Sequence, residues 1–254
     1  MKNIILSKLK EIEQKYDVRI LLAVEAGSRA WGFSSPDSDY DVRFVYVHPL
    51  DWYLSLCEQR DVIEEMDPDG VLDVSGWDLR KALGLLAKGN CGLAEWLASP
   101  IVYRMDPVFF LEINSLKNRY LRKVSAAHHY FCMAMNHDKR YLEKRRTELK
   151  RFLYHVRGLL AAKWIVEKDS FPPVPFLDLV KSEVKDDAVR VDILDLVGLK
   201  RQGKENDKVI VNDSLVEFAA NTAERLRWQI QQLPATEATD YRPLDNLFRR
   251  TVCV

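Results

Sequence analysis

The chain has 254 residues, 47% of them hydrophobic and 30% charged, and its 38 basic side chains are matched by 38 acidic ones. That balance fits a globular protein of one large domain or two small ones, and zero formal charge argues against bulk electrostatic coating of nucleic acid without excluding a local basic groove. No apolar run reaches the roughly 20 residues of a membrane span, and the opening MKNIILSKLKEIEQKYD turns charged too soon for a secretory signal, so a cytoplasmic protein with no membrane partner is expected.

Ile4, Leu6, Leu9, Ile12 and Tyr16 recur at near-helical spacing and predict a first amphipathic helix. VRILLAVEA then reads as a short buried strand, and YDVRFVYV as a second one after a polar stretch. DVIEEM and VLDVSGW predict two further strands around Asp67-Pro68-Asp69-Gly70, a tight turn in which proline presets φ and glycine supplies a positive φ. A helix begins near Asp78, a favoured N-cap, carries Leu79, Leu83 and Leu86 on one face, and stops at Gly89-Asn90. GLAEWLASP gives a short helix that ends before Pro100.

From Val108 the pattern is helical over 108–136, 138–168, 176–202 with a break near 186, and 212–233. FPPVPF is a rigid connector, GLKRQGKENDKVIVND a polar loop, and YRPLDNLFRRTVCV either a docking tail or simply the last packed turn. The predicted fold class is therefore α/β (α+β): a small mixed-sheet domain over residues 1–105 and a helical domain over 106–254. Cys57, Cys91, Cys132 and Cys253 have no CxxC spacing and read as reduced thiols. His128-His129 is no metal pair, because neighbouring residues on a helix point in different directions.

The chemistry concentrates in AGSRAWGFSSPDSDYDVRFVYV. Gly27-Ser28 follows a buried strand, where free backbone N–H groups and a hydroxyl can approach a phosphate. Asp39 and Asp41 stand two apart at the start of the next strand, so both carboxylates share one face while Tyr40, Val42 and Phe44 take the other. Converging carboxylates repel unless a cation sits between them, and magnesium suits carboxylate and phosphate oxygens. Either half alone is also ordinary turn composition. The order strand, Gly-Ser, ten-residue gap, Asp-x-Asp, strand is much more specific.

That order resembles the signature of the polymerase-β-like nucleotidyltransferase superfamily. GWDLRKALGLLAKGNCGLAEWLASPIVY and LKRFLYHVRGLLAAKWI followed by PPVPF narrow the resemblance to a predicted nucleotidyltransferase family associated with RNA repair, over residues 18 to 180. Where that family has proline after the asparagine at position 90, this chain has Cys91, a change confined to a turn. The resemblance implies transfer of a nucleoside monophosphate from a nucleoside triphosphate (NTP) to a hydroxyl, with Mg2+ or Mn2+ as cofactor. It implies that Gly27, Ser28 and the adjoining Arg29 bind phosphate, and that Asp39 and Asp41 bridge two ions, one serving the attacking oxygen and one the leaving phosphates.

A third carboxylate is expected on a neighbouring strand. Asp78 has a capping role that explains it, whereas Asp73 lies in an apolar strand and wants a partner, so Asp73 is preferred. In ELKRFLYHVRGLLAAKWI, Lys150, Tyr154 and Arg157 fall at i, i+4 and i+7 on one helix face. The plain reading is a solvated edge. The resembled family carries a similar trio, implying that Lys150 and Arg157 meet the triphosphate and Tyr154 the base or sugar. DKRYLEKRRTELKR is either a self-paired solvated helix or a groove for an RNA acceptor. Trp31 is the tryptophan positioned to stack on a base, and Glu95 reads as an anchor rather than a catalyst. An RNA end is the leading acceptor; a protein or small-molecule hydroxyl, and a non-catalytic nucleotide- or RNA-binding module, are the alternatives.

Overall fold

The computed structural model describes residues 1–67, 70–138, 146–204, 207–234 and 239–253. The turn residues Pro68 and Asp69, and residues 139–145 of the basic stretch, lie outside them. The chain forms two compact units that are not sequential: one gathers Met1–Ala30, Asp39–Tyr120 and Ala238–Val254, the other Trp31–Ser38 and Leu121–Glu237.

The first unit runs α1 (Lys2–Tyr16), β1 (Arg19–Glu25), α2 (Gly27–Ala30), β2 (Tyr40–Val47), α3 (Leu50–Tyr53), β3 (Val62–Met66), β4 (Leu72–Asp78), α4 (Leu79–Ala87), α5 (Cys91–Trp96), β5 (Val102–Met105) and α6 (Pro107–Lys117). Its five-stranded sheet has the order β3-β4-β2-β1-β5. β2 and β4 pair in parallel, and the other pairings are antiparallel. This is the mixed sheet of an α/β (α+β) protein.

Every residue of β1 after Arg19 is buried, as its near-continuous apolar run requires of a strand covered on both faces. On one face α1 lays Ile5, Leu9 and Ile12 against Val42, Phe44, Tyr46 and Val74. On the other, Val45 and Val47 pack with Leu79, Leu83 and Leu86 of α4, Phe109 and Ile113 of α6, and Leu244 and Leu247 of the C-terminal helix. The two-residue period of β2 therefore sends Val42 and Phe44 to the α1 layer and leaves Asp41 and Arg43 on the opposite face, at the strand's open start.

The second unit contains α7 (Lys123–Asp138), β6 (Arg146–Glu148), α8 (Leu149–Lys168), α9 (Phe176–Glu183), α10 (Asp187–Arg201), β7 (Lys208–Ile210) and α11 (Asp213–Gln231). α8 is its axis, burying Phe152, Leu153, Val156, Leu159, Leu160 and Ile165. At Gly158 a Cβ would come within 2.8 Å of the Ala134 Cβ and 2.9 Å of the Tyr130 carbonyl, so α7 crosses directly on the glycine.

Several elements differ from the sequence expectation. The helix expected over 108–136 breaks at 118–122, where Tyr120 Oη donates to the Asp240 carbonyl (2.8 Å) and Arg119 pairs with the Asp240 carboxylate (3.0 Å). β5 was not expected: three of its four residues are exposed, so it carries no alternation and forms through pairing with β1. β6 and β7, three residues each, are too short to leave a pattern. The tail is α12 (Arg242–Val252), which buries Leu244 and Leu247. A cut at residue 105 follows chain order, whereas packing places α6 and α12 with the sheet and residues 31–38 with the helices.

Substituting Gly158→Val forces α7 and α8 apart and should lower unfolding free energy by about 1–3 kcal/mol, the usual range for overpacking. Urea unfolding reads it, and an unchanged midpoint would contradict the close crossing.

Candidate active site

β1 ends at Glu25, and two residues later Gly27 adopts φ +58° to open the single turn of α2. The left-handed value favours glycine, and space demands it as well, because a Cβ at Gly27 would collide with the Asp41 carboxylate. The Ala26 N–H donates to the Asp41 carbonyl at 2.8 Å, so the Gly-Ser turn is fastened to the start of β2. Ser28 is buried. Arg29 donates from Nε to the Asp39 carbonyl (3.1 Å) and lays its guanidinium 3.6 Å from the centre of the Tyr40 ring. Asp39 is exposed, one residue before β2.

The parallel pairing of β2 with β4 sets Asp41 directly beside Asp73. Neighbouring strands are about 4.8 Å apart, so the two carboxylates project from adjacent backbones on one face. Arg43, two residues after Asp41, lies across both: Nη2 donates to Asp41 Oδ1 at 3.1 Å and to Asp73 Oδ2 at 2.7 Å. Hard carboxylate oxygens beside a Gly-Ser turn are the donor set that suits Mg2+ or Mn2+ together with phosphate oxygens. Among the described residues, no three histidine, cysteine or acidic side chains already stand close enough together to hold an ion.

Asp78 is five residues further along β4, beside Tyr46. It is 1% exposed; Oδ1 accepts the Arg80 N–H (2.7 Å) as the N-cap of α4, and Oδ2 accepts the Tyr53 hydroxyl (2.6 Å). Burial pushes its carboxyl above the usual carboxylate range.

Glu25 was not foreseen. It is fully buried; Oε1 accepts the Asp41 N–H (2.9 Å) and Oε2 accepts the Tyr103 hydroxyl from β5. Burial raises its pKa above the ordinary value, outweighing the opposite effect of the bonds from Tyr103 and Asp41. Its signal in the sequence was a lone charge at the end of an otherwise apolar strand. Arg43 left a similar one, a third charge at period two after Asp39 and Asp41.

Lys150, Tyr154 and Arg157 belong to the second unit. Lys150 is exposed, Tyr154 half-buried and Arg157 1% exposed, so this face of α8 runs from solvent into the core. The Arg157 guanidinium lies 3.9 Å from the centre of the Trp31 ring, and Tyr154 meets the same indole edge-on at 5.1 Å. Trp31 thus packs against this unit's own side chains. Its carbonyl accepts the Phe176 N–H (2.9 Å), and the next carbonyl, of Gly32, accepts Arg201. Phe33 is fully buried against Phe176. The tract between Ser28 and Asp39 is therefore a docked segment rather than a loose turn.

The family model described as "RNA repair pathway DNA polymerase beta family", RlaP, matches residues 1–250. The chain belongs to that family. A relative, the protein YcgL of Bacillus subtilis (strain 168), is 39% identical over 252 residues, covering 99% of this chain and 96% of its own. Among solved structures, a nucleotidyltransferase-like protein from Exiguobacterium sibiricum 255-15 aligns over 87% of this chain and 73% of its own, with 11% identity and a TM-score of 0.36. In this RlaP family member no helix among the described residues is long and apolar enough to cross a membrane.

Two outcomes follow for this RlaP chain. A buried carboxyl with a raised pKa favours folding while protonated and loses that contribution as the pH rises through its folded value. The Glu25→Gln variant has no such proton to lose. Its stability relative to wild type should improve steadily as the pH climbs from below 4.5 to neutrality, read by urea unfolding at a series of pH values. A difference constant across that range would contradict the buried-carboxyl account. Gly27→Ala should cost about 1–2 kcal/mol for the left-handed backbone alone, and more for displacing the Asp41 carboxylate. Wild-type stability in that variant would show that the turn is not fastened as described.

Proposed function

We propose that the chain is a Mg2+- or Mn2+-dependent nucleotidyltransferase that moves a nucleoside monophosphate from an NTP to a hydroxyl, the acceptor being an RNA end in RNA repair or processing. The observation that carries this reading is the in-register pair Asp41 and Asp73, set against the Gly27 turn. A binding module has no need of two carboxylates side by side on adjacent strands. In the reaction the acceptor oxygen bonds to the α-phosphorus, the α–β phosphoanhydride bond breaks, and pyrophosphate leaves. A divalent cation would supply charge neutralisation for the phosphates and the attacking oxygen.

This chain's residues take the remaining tasks. Gly27 and Ser28 offer backbone and hydroxyl donors to the β- and γ-phosphates, with Arg29 as the adjoining cation. Asp39, Asp41 and Asp73 would hold the cation, and Asp73 would also orient the attacking hydroxyl and accept its proton. Glu25 positions Asp41 through its backbone N–H. The assignment of Lys150, Tyr154 and Arg157 to the nucleotide rests on the resemblance and is part of the same proposal.

The test incubates the protein with labelled NTPs, Mg2+ or Mn2+, and RNA, protein or no acceptor. Label should appear on RNA. Asp41→Asn and Asp73→Asn should each reduce transfer by about 100-fold or more. Asp78→Ala should lose about 1–3 kcal/mol of stability, from the lost cap and the orphaned Tyr53 hydroxyl, yet retain transfer at temperatures where it is folded. Label on protein would contradict the acceptor, and no transfer from any NTP would contradict the enzyme.

A further inference from the structure

Arg43 has no role in the reaction described above, yet it sits at the centre of the carboxylate pair. Its side chain is 19% exposed and its guanidinium makes four hydrogen bonds. Two go to Asp41 Oδ1 and Asp73 Oδ2; the other two run from Nη1 to the carbonyls of Val42 and Asp73, each at 3.1 Å. All four partners are oxygens, and two belong to the carboxylates that would hold a divalent ion. A guanidinium is planar and offers a fixed fork of donors, so it can span two carboxylates where a lysine ammonium would act as a point charge.

We propose that Arg43 is a built-in counter-ion that competes with the divalent cation for the Asp41–Asp73 pair, so that guanidinium and metal hold the two carboxylates in turn. This rests on the metal-dependent reading above. Without metal, two like charges in register on adjacent strands need a cation, and Arg43 supplies one positive charge against two negative ones. The residual negative charge leaves a doubly charged ion able to displace it. Metal affinity is then lower than the bare carboxylates would give. The released guanidinium, an arginine beside the Gly-Ser turn, is free to take a phosphate oxygen, which favours loading of metal together with nucleotide over metal alone.

The experiment titrates Mn2+ into wild type, Arg43→Gln, Arg43→Lys and Asp41→Asn by electron paramagnetic resonance of the free ion, without nucleotide, and records melting temperatures in chelator and in Mn2+. Arg43→Gln should bind Mn2+ about tenfold or more tighter than wild type, because its competitor is gone. It should also melt lower than wild type in chelator and recover when Mn2+ is added. Arg43→Lys should lie between the two, and carries the test if Arg43→Gln does not fold. Mn2+ binding that Asp41→Asn abolishes but that neither Arg43 variant tightens would overturn the counter-ion role and leave the proposed function standing. No Mn2+ binding by any of the four proteins, Arg43→Gln included, would likewise overturn the counter-ion role, while the transfer assay with NTP decides the proposed function separately.

Discussion

Two carboxylates forced side by side are the constraint around which the sheet unit is arranged. Parallel pairing of β2 with β4 leaves Asp41 and Asp73 in register, each about one-third exposed. At a separation of about 5 Å and an effective dielectric of about 20, their mutual repulsion is on the order of 3 kcal/mol. A cation relieves that repulsion, and the guanidinium of Arg43 provides one. The pair is therefore a site prepared for positive charge.

The surroundings fix that pair in place. Asp41 is held from three directions: its N–H by Glu25, its carbonyl by Ala26, and its side chain by Arg43, in space that only a glycine at position 27 leaves open. Glu25 in turn is held by Tyr103 on β5, so a largely exposed edge strand still bears on the carboxylates. The apolar layers on both faces of β1 and β2 supply the rigidity that makes these contacts specific. Second-layer groups of this kind orient the groups that meet a ligand.

What the sequence disclosed followed from periodicity. α1 and β2 were legible because apolar residues recur at 3.6 or 2 residues, although α1 buries Ile5, Leu9 and Ile12 and leaves Ile4 and Leu6 exposed; β1 was legible as a short, near-continuous apolar run. The same period put Asp39 and Asp41 on one face, and the lack of a local role for Asp73 pointed to a partner across strands. Register was not legible: nothing local says that β4 pairs with β2 so that residue 73 meets residue 41. The bridging position of Arg43 depends on that register and was hidden with it. β5 was hidden because tertiary pairing, rather than its own pattern, defines it; α12 does carry a helical pattern, with Leu244, Leu247, Phe248 and Thr251 at i, i+3, i+4 and i+7. The turn-like composition of 31–38 concealed Phe33, whose burial draws the segment into the helical unit.

Anomalous diffraction from crystals grown with Mn2+ and a non-hydrolysable NTP analogue tests the central claim most directly. The account predicts an anomalous peak at about 2.0–2.3 Å from carboxylate oxygens of both Asp41 and Asp73. It also predicts phosphate density at the Gly27-Ser28 turn and the Arg43 guanidinium withdrawn from the pair. Bound nucleotide with no anomalous peak at these carboxylates, and Arg43 still bridging them, would contradict it.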